Sequence, residues 1–326
     1  MKKMVSIIVP IYNGASVLKR CVDSILRQSY MEWELLLIND GSKDESLQIC
    51  TTYAQMDNRV RVIDKTNEGV SATRNRGITE ALGEYVQFID CDDYVTEDYL
   101  QHMVSVMERE DADLVIAGYT RHKVGNITEN VPKEAVFHGK QQFAEEFFEL
   151  YNRWFLNTPW NKLYKRERIA SEFPLELSLG EDLLFNLDYI KDCETIAVVG
   201  ETGYQYCIEN QDSLAIQYRE NRFENDIYLH KYVLEYVKEH LGMTSEKQWN
   251  DEAFVKGVRF SMTNLMRAEN IDMLCKKRKI AEWVKNSEVK AGYQRCEHLS
   301  MQDKIFGILV RHECVGLLYW ILKILG

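Results

Sequence analysis

The sequence predicts an α/β protein with a mostly parallel central sheet flanked by helices and a helical C-terminal extension. Three observations carry that expectation. Short β-rich apolar runs alternate with helix-patterned stretches through the first hundred residues. Those runs are apolar on both faces, as strands covered by helices on both sides must be. Beyond about residue 215 the pattern is mostly helical, with no cluster of reactive side chains.

Each element follows from its residues. Val5–Val9 is the first strand, and Pro10, which has no N–H to donate, is expected to end it. Ala15–Gln28 has helical spacing through Val17, Leu18, Cys21, Val22 and Ile25. Leu35–Ile38 reads as the second strand and runs into Asn39, Asp40 and Gly41. Ser42 or Asp44 can cap the next helix, whose apolar face uses Leu47, Ile49, Cys50 and Tyr53. Val60–Ile63, Val70–Leu82 and Tyr85–Ile89 read as strand, helix and strand. Glu97–Glu108 is then a helix and Leu114–Gly118 a strand, followed by a polar excursion from Arg121 to Lys140. Trp154–Tyr164 is rich in aromatic residues, and Leu183–Ile190 is a helix opened by Gly180, Glu181 and Asp182. Tyr204 and Tyr206 read as packing residues.

Composition narrows the function classes. The 326 residues include 40 Lys and Arg against 51 Asp and Glu, a net charge of −11 that argues against a general nucleic-acid binder. Four prolines and 17 glycines leave no Pro-rich or Gly-rich linker, so the parts must pack together or run on as helices. Eight scattered cysteines with no CxxC fit reduced thiols in a cytoplasmic protein better than a disulfide framework or a zinc site. The apolar run Met4–Ile11 behind Lys2 and Lys3 is too short, and too soon broken by Pro10, for a signal peptide.

Residues 305–326 are mostly large and apolar, but Arg311, His312, Glu313 and Lys323 interrupt them. A spanning helix needs about 20 nearly uncharged residues, so an amphipathic terminal helix is expected instead. Its partner stays open at this point. Peripheral contact with the inner face of the cell membrane, helped by the basic run Lys276, Lys277, Arg278 and Lys279, is one choice. A homo-oligomer interface and the protein's own core are the others.

In parallel α/β sheets ligands bind beyond the carboxyl ends of the strands. Here those ends carry Tyr12 and Asn13, then Asp40, Asp64, and the group Asp90, Asp92 and Asp93. Three carboxylates so close repel one another unless a cation intervenes. Oxygen-only ligands favour Mg2+ or Mn2+, which keep waters and bind substrate phosphates. A nucleoside diphosphate is the natural second partner. Taken alone, the same acids serve equally well as an acidic loop capping the helix at Thr96 and Glu97.

Four motifs in order add to that reading. They are Ser6–Asn13 (SIIVPIYN), Asn39–Asp44 (NDGSKD), Gly69–Gly77 (GVSATRNRG), and Gly83–Tyr85 leading into Asp90–Asp93 (DCDD). Together they resemble glycosyltransferase family 2, strongly over the first hundred residues and more loosely to about 215. The resemblance implies the GT-A fold, with a nucleotide-sugar-binding half (1–100), an acceptor-binding half (101–215) and a helical extension (216–326). It implies that Pro10 and Tyr12, with Asn13 beside them, line the base and ribose pocket, and that Asp40 accepts the uracil imide N–H. Arg74 would approach the diphosphate or base near Gly69. Asp90 and Asp92 would contact ribose and a Mn2+ or Mg2+ ion, and Asp93 would support the donor sugar. Three residues depart from the family pattern: Asn39 for an acid, Thr73 for Ala, and Cys91 for the Ser inside the acidic motif.

Further on, Trp160–Arg166 (WNKLYKR) and Gly180-Glu181-Asp182 resemble a subset of the family from bacterial surface-polysaccharide synthesis. That likeness implies Asp182 as general base, with Glu181 the adjacent alternative, and Trp160, Asn161 and Lys162 on the acceptor side. Without it, Glu181 and Asp182 are simply acids placed well at a helix N-terminus. The implied enzyme is a metal-dependent, inverting hexosyl- or N-acetylhexosaminyltransferase. It moves sugar from a UDP-sugar to a hydroxyl of a glycan or lipid-linked acceptor. No QxxRW-type motif occurs, which argues against a processive synthase. The rival reading is a catalytically silent nucleotide-sugar-binding regulatory or scaffold protein, against which Asp90, Asp92 and Asp182 speak.

Overall fold

The computed structural model describes residues 3–177, 179–208, 218–245, 249–296 and 299–325. The expected boundary at 215/216 and the terminal Gly326 lie outside the described residues. The chain divides into two compact units, Met1–Phe143 with Trp154–Glu209, and Ala144–Arg153 with Asn210–Gly326.

In chain order the first unit opens with β1 (Val5–Ile11), α1 (Leu18–Leu26), β2 (Trp33–Asp40), α2 (Ser46–Met56) and β3 (Val60–Lys65). It continues with α3 (Val70–Glu80), β4 (Tyr85–Phe88), β5 (Tyr94–Val95), α4 (Tyr99–Arg109), β6 (Leu114–Lys123), β7 (Asn126–Asn130) and β8 (Ala135–His138). After α5 (Lys140–Asn152), most of which belongs to the second unit, come β9 (Lys162–Lys165), α6 (Glu181–Ile190) and β10 (Thr195–Ile208).

The strands form one sheet in the order β3-β2-β1-β4-β9-β6-β10-β5, with β7 on β6 and β8 on β10. The first four strands are parallel, as are β6 and β10. β9 runs antiparallel between β4 and β6 and joins the two parallel groups. Every residue of β1 and β2 is buried, so their apolar runs need cover on both faces. Gly77 lets α3 lie close on that sheet: a Cβ there would sit 2.4 Å from the Ile8 side chain. On the other face Leu18, Cys21, Val22 and Ile25 of α1 are fully buried, at the spacing their sequence advertises.

Three readings need correction. Pro10 does not end β1, which runs on to Ile11. The Ile8 carbonyl accepts from Ile89 N on the β4 side, and Pro10, two residues on, faces the same side where pairing with β4 has already stopped. Its missing N–H therefore leaves no gap in the ladder. Second, β6 continues past Gly118, and the polar excursion holds β7 and β8. β7 is almost wholly exposed, so no apolar alternation announces it. Third, residues 305–325 are not one helix but the end of one and the whole of the next, broken at 312–314.

The second unit is helical: α7 (Arg222–His240), α8 (Glu252–Met266), α9 (Met273–Lys285), α10 (Ser287–Arg295), α11 (Met301–Arg311) and α12 (Val315–Leu325). Its core holds Phe254, Val258, Met262, Trp283, Phe306 and Leu322. Asp272, Asn286 and Ser300 cap α9, α10 and α11 through their side chains. Between α11 and α12 Glu313 takes φ +51°, a left-handed conformation that turns the chain. Among the described residues no helix is long and apolar enough to cross a membrane.

Candidate active site

The ends of β1 and β2 are laced together. Asn13 N donates to Ser42 Oγ at 3.0 Å, and Asn13 Oδ1 accepts from Lys43 N at 2.8 Å. Gly14 N donates to Ser46 Oγ and Ala15 N to Asp44 Oδ2. Asp44 also accepts from Ser46 N, but the N-cap of α2 is Glu45 and no side chain caps it, so neither Ser42 nor Asp44 is the cap. Pro10 is buried, while Tyr12 is half exposed.

Asp40 ends β2 as a buried carboxylate. It accepts from Lys65 Nζ and from Glu68 N (2.9 Å) on Oδ1, and from Gly69 N (2.9 Å) on Oδ2. A carboxylate offers about four lone-pair sites, so these three leave room for one more donor. The bond to Gly69 N explains the glycine. Its φ of +92° turns the chain into α3 with the N–H aimed back at Asp40, a conformation L side chains rarely adopt.

From the buried face of α3, Arg74 reaches two carboxylates. Nη1 donates to Asp182 Oδ1 at 2.6 Å and Nη2 to Asp90 Oδ1 at 3.0 Å. Burial alone would lower the guanidinium pKa, but Asp182 and Asp90 overcome it and hold the group charged. Asp182 sits in the first turn of α6, behind Gly180 at φ +90° and beside the partly exposed Glu181. Burial pushes Asp182 up to about 7 against the pull of Arg74, with Glu181 and Asp90 adding to the rise. One shared cation does not offset three neighbouring acids.

The acidic motif itself splits. Asp92 is exposed, and Arg20 donates to its backbone carbonyl. Cys91 packs against Gly14, where a Cβ would lie 3.1 Å from its Sγ, and burial pushes its thiol pKa up. Asp93 turns into the sheet: Oδ2 accepts from Tyr204 Oη and Oδ1 from Cys207 N, both at 2.7 Å. Burial pushes Asp93 well above the usual carboxylate range, and Asp92 and Asp90 add to it. Tyr204 Oη also accepts from Asp90 N at 3.2 Å, so one hydroxyl ties both ends of the motif to β10. This tyrosine is more than packing, and nothing local marks it, because its partners lie more than a hundred residues away.

Trp160 stacks on Tyr204 at 4.3 Å and on Tyr206 at 5.4 Å between ring centroids. Asn161 donates to the carbonyls of Ala117 and Phe155. Lys162 is 0% exposed, and its ammonium donates to the carbonyls of Phe155 and Thr158 and to Asn161 Oδ1. Burial drives its pKa well down. All three residues expected on the acceptor side thus lie below the surface, with Asn161 and Lys162 binding the 155–162 turn to β6 and to itself.

Asp90, bonded to Arg74 through Oδ1, and the exposed Asp92 both bring carboxylate oxygens to the end of β4, while Asp93 faces Tyr204 and Cys207. Among the described residues no group of three or more His, Cys, Asp or Glu is gathered to hold a metal. Two carboxylates fit a hard cation whose other ligands are diphosphate oxygens and water.

Residues 6–171, about half of the chain, match the family model described as glycosyl transferase family 2. EpsJ of Bacillus subtilis, named as an uncharacterised glycosyltransferase, is 35% identical over 220 residues, 66% of this chain and 63% of EpsJ. EpsH of the same organism is 32% identical over 243 residues, 72% of this chain and 69% of EpsH. Thus the chain spans slightly less than two thirds of EpsJ and slightly more of EpsH. Among solved structures, Staphylococcus aureus TarS 1-349 in complex with UDP-GlcNAc superposes with a TM-score of 0.68 at 18% identity, covering 98% of this chain and 90% of that one.

Proposed function

Because the chain belongs to glycosyltransferase family 2 and has the GT-A fold, we propose that it moves a sugar from a UDP-sugar to an acceptor hydroxyl with inversion. The observation that carries this reading is the Arg74 bridge, which links Asp182 to the motif that would hold the diphosphate. Inverting transfer needs a carboxylate to take the acceptor's proton as its oxygen attacks the anomeric carbon opposite the leaving group. Asp182 is that base, with Glu181 as the adjacent alternative. A carboxylate held at about 7 has a proton affinity suited to this task near neutral pH.

The remaining roles are those the family resemblance implies. Tyr12 and Pro10 flank the nucleobase, and Asn13 keeps their loop in place through its bonds to Ser42 and Lys43. Asp40, with its one remaining acceptor site, takes the uracil imide N–H. Gly69 and Arg74 lie by the diphosphate. A Mn2+ or Mg2+ ion held by Asp90 and Asp92 would neutralise charge on the departing diphosphate. Cys91 and Asp93 keep that motif seated, and Trp160, Asn161 and Lys162 support the acceptor side from beneath. The acceptor is a glycan or a lipid-linked precursor of a cell-surface polysaccharide. Since TarS binds UDP-GlcNAc, that donor is the first to test.

The test is UDP release across a panel of UDP-sugars with Mn2+. At least one UDP-hexose or UDP-N-acetylhexosamine is expected to release UDP, and Asp92→Asn to abolish the metal-dependent part. UDP binding without release from any donor, with or without candidate acceptors, overturns the enzyme reading in favour of a silent nucleotide-sugar binder.

A further inference from the structure

Helices α11 and α12 are apolar on both sides. Phe306, Leu309 and Val310 of α11, and Leu318, Tyr319 and Leu322 of α12, are buried in the core of the second unit. The opposite row of α11 exposes Met301, Ile305 and Ile308. That of α12 exposes Leu317, Trp320 (55%) and Ile324 (83%). Each row follows the i, i+3 or i+4, i+7 spacing of one helix face. Two adjacent apolar rows left exposed on helices whose other sides are buried mark a contact surface.

The charges identify the cover. Residues 273–326 contain ten Lys and Arg against five Asp and Glu, within a chain of net charge −11. Within 301–325 the acids are Asp303 and Glu313. Asp303 is buried against Arg259 at 2.7 Å, and Glu313 is held by Lys290 at 2.6 Å. Lys304, Arg311 and Lys323 stand in the exposed rows. Lys323 lies 5.3 Å from the Trp320 ring centroid, and Lys277 of α9 lies 5.1 Å from that of Tyr319. Aromatic rings and long cationic side chains beside an apolar row match the boundary between acyl chains and headgroups. A second copy of the same surface would set like charges against each other; anionic headgroups neutralise them.

We propose that the exposed faces of α11 and α12 dock the second unit on an anionic lipid bilayer, with Trp320 and Ile324 entering the interface and Lys277, Lys304, Arg311 and Lys323 facing headgroups. Each helix has 11 residues, too short to span, so both lie on the surface. The inference stands apart from the sugar-transfer reading, since none of these residues belongs to that site.

Co-sedimentation of the full chain with phosphatidylcholine vesicles, alone or with about 30% phosphatidylglycerol, tests it. Binding is expected to the anionic vesicles only and to weaken as salt rises. The double variant W320S/I324S is expected to lower the partition coefficient by about tenfold or more, a loss of at least about 1.4 kcal/mol. K277Q/K323Q is expected to lower it on anionic vesicles while keeping the thermal transition. Equal recovery in the supernatant with both vesicle types, or binding that neither variant changes, overturns the proposal. A dimer in light scattering that W320S/I324S dissolves also overturns it, by giving the face to a second copy. UDP affinity, measured on the same samples, reports the other unit separately.

Discussion

Replacing Asp182 by Asn separates its proposed catalytic role from stability, and the two effects are expected to have opposite signs. The carboxylate is held at about 7 instead of its ordinary 3.8, so above pH 7 its ionised form is disfavoured by up to about 4 kcal/mol relative to the unfolded chain. With the folded pKa raised, the wild type is favoured most below about pH 4. It loses that stability as pH climbs towards 7 and is flat beyond. Asn is nearly isosteric, keeps an oxygen for Arg74 Nη1, and carries no charge that burial can penalise. The variant should therefore be more stable at pH 8 by about 2–4 kcal/mol, a rise in midpoint of about 5 °C or more. The gap should close as pH falls towards 4. Turnover should fall about 10²–10⁴-fold with loss of the general base, while UDP affinity stays within about threefold because Asp90 and Arg74 remain. The assays are thermal denaturation from pH 4 to 8 without nucleotide or metal, UDP calorimetry, and single-turnover transfer. A lower melting point at pH 8 refutes the burial argument. Retained turnover refutes Asp182 as base, and a large loss of UDP affinity moves it to a binding role.

Two further outcomes rest on buried polar groups. Tyr204→Phe removes the hydroxyl shared by Asp93 Oδ2 and Asp90 N, leaving a buried carboxylate oxygen and a partly buried N–H short of a partner, so thermal denaturation should show a loss of about 1–3 kcal/mol; a midpoint unchanged from wild type removes Tyr204 from the motif's support. His230 is stacked 3.8 Å from Phe254 with Nε2 3.3 Å from Arg295, and burial, then Arg295 and Lys231, depress its pKa to about 3. Its stabilising effect is complete above the unfolded value near 6.5 and is lost as pH falls towards 3, by a total on the order of 4 kcal/mol. The urea midpoint of His230→Asn should consequently fall less than that of the wild type between pH 7.5 and 4.5, and an identical fall assigns the acid sensitivity elsewhere.

Much of the first unit is legible from local pattern. Runs such as Val5–Ile11 and Trp33–Asp40 announce strands buried on both faces, and a parallel sheet puts the residues after them at one edge. Asp40 and Asp90 are found that way. Gly69 and Gly180 mark helix starts through backbone conformations their own residue type permits. Local pattern fails where a segment draws its order from a distant partner. β7 has no apolar face of its own and exists by pairing with β6. Lys162 looks like a surface cation in a polar motif, yet three oxygens within seven residues of it satisfy its ammonium out of solvent. The terminal apolar stretch hides its break because Glu313 is unremarkable until its left-handed turn is seen.

The sequence by itself determined the strand-helix alternation, the acids at the strand ends and the family to which they belong. All of these rest on side-chain periodicity and turn chemistry acting within a few residues. Only the tertiary structure decided that Arg74 bridges Asp90 and Asp182, that Asp93 belongs to Tyr204 and Cys207, and that α11 and α12 each keep one apolar face exposed. Those pairings join residues up to 114 positions apart. Whether a buried charge meets a partner there depends on which strands the sheet sets side by side, and no local pattern encodes that order.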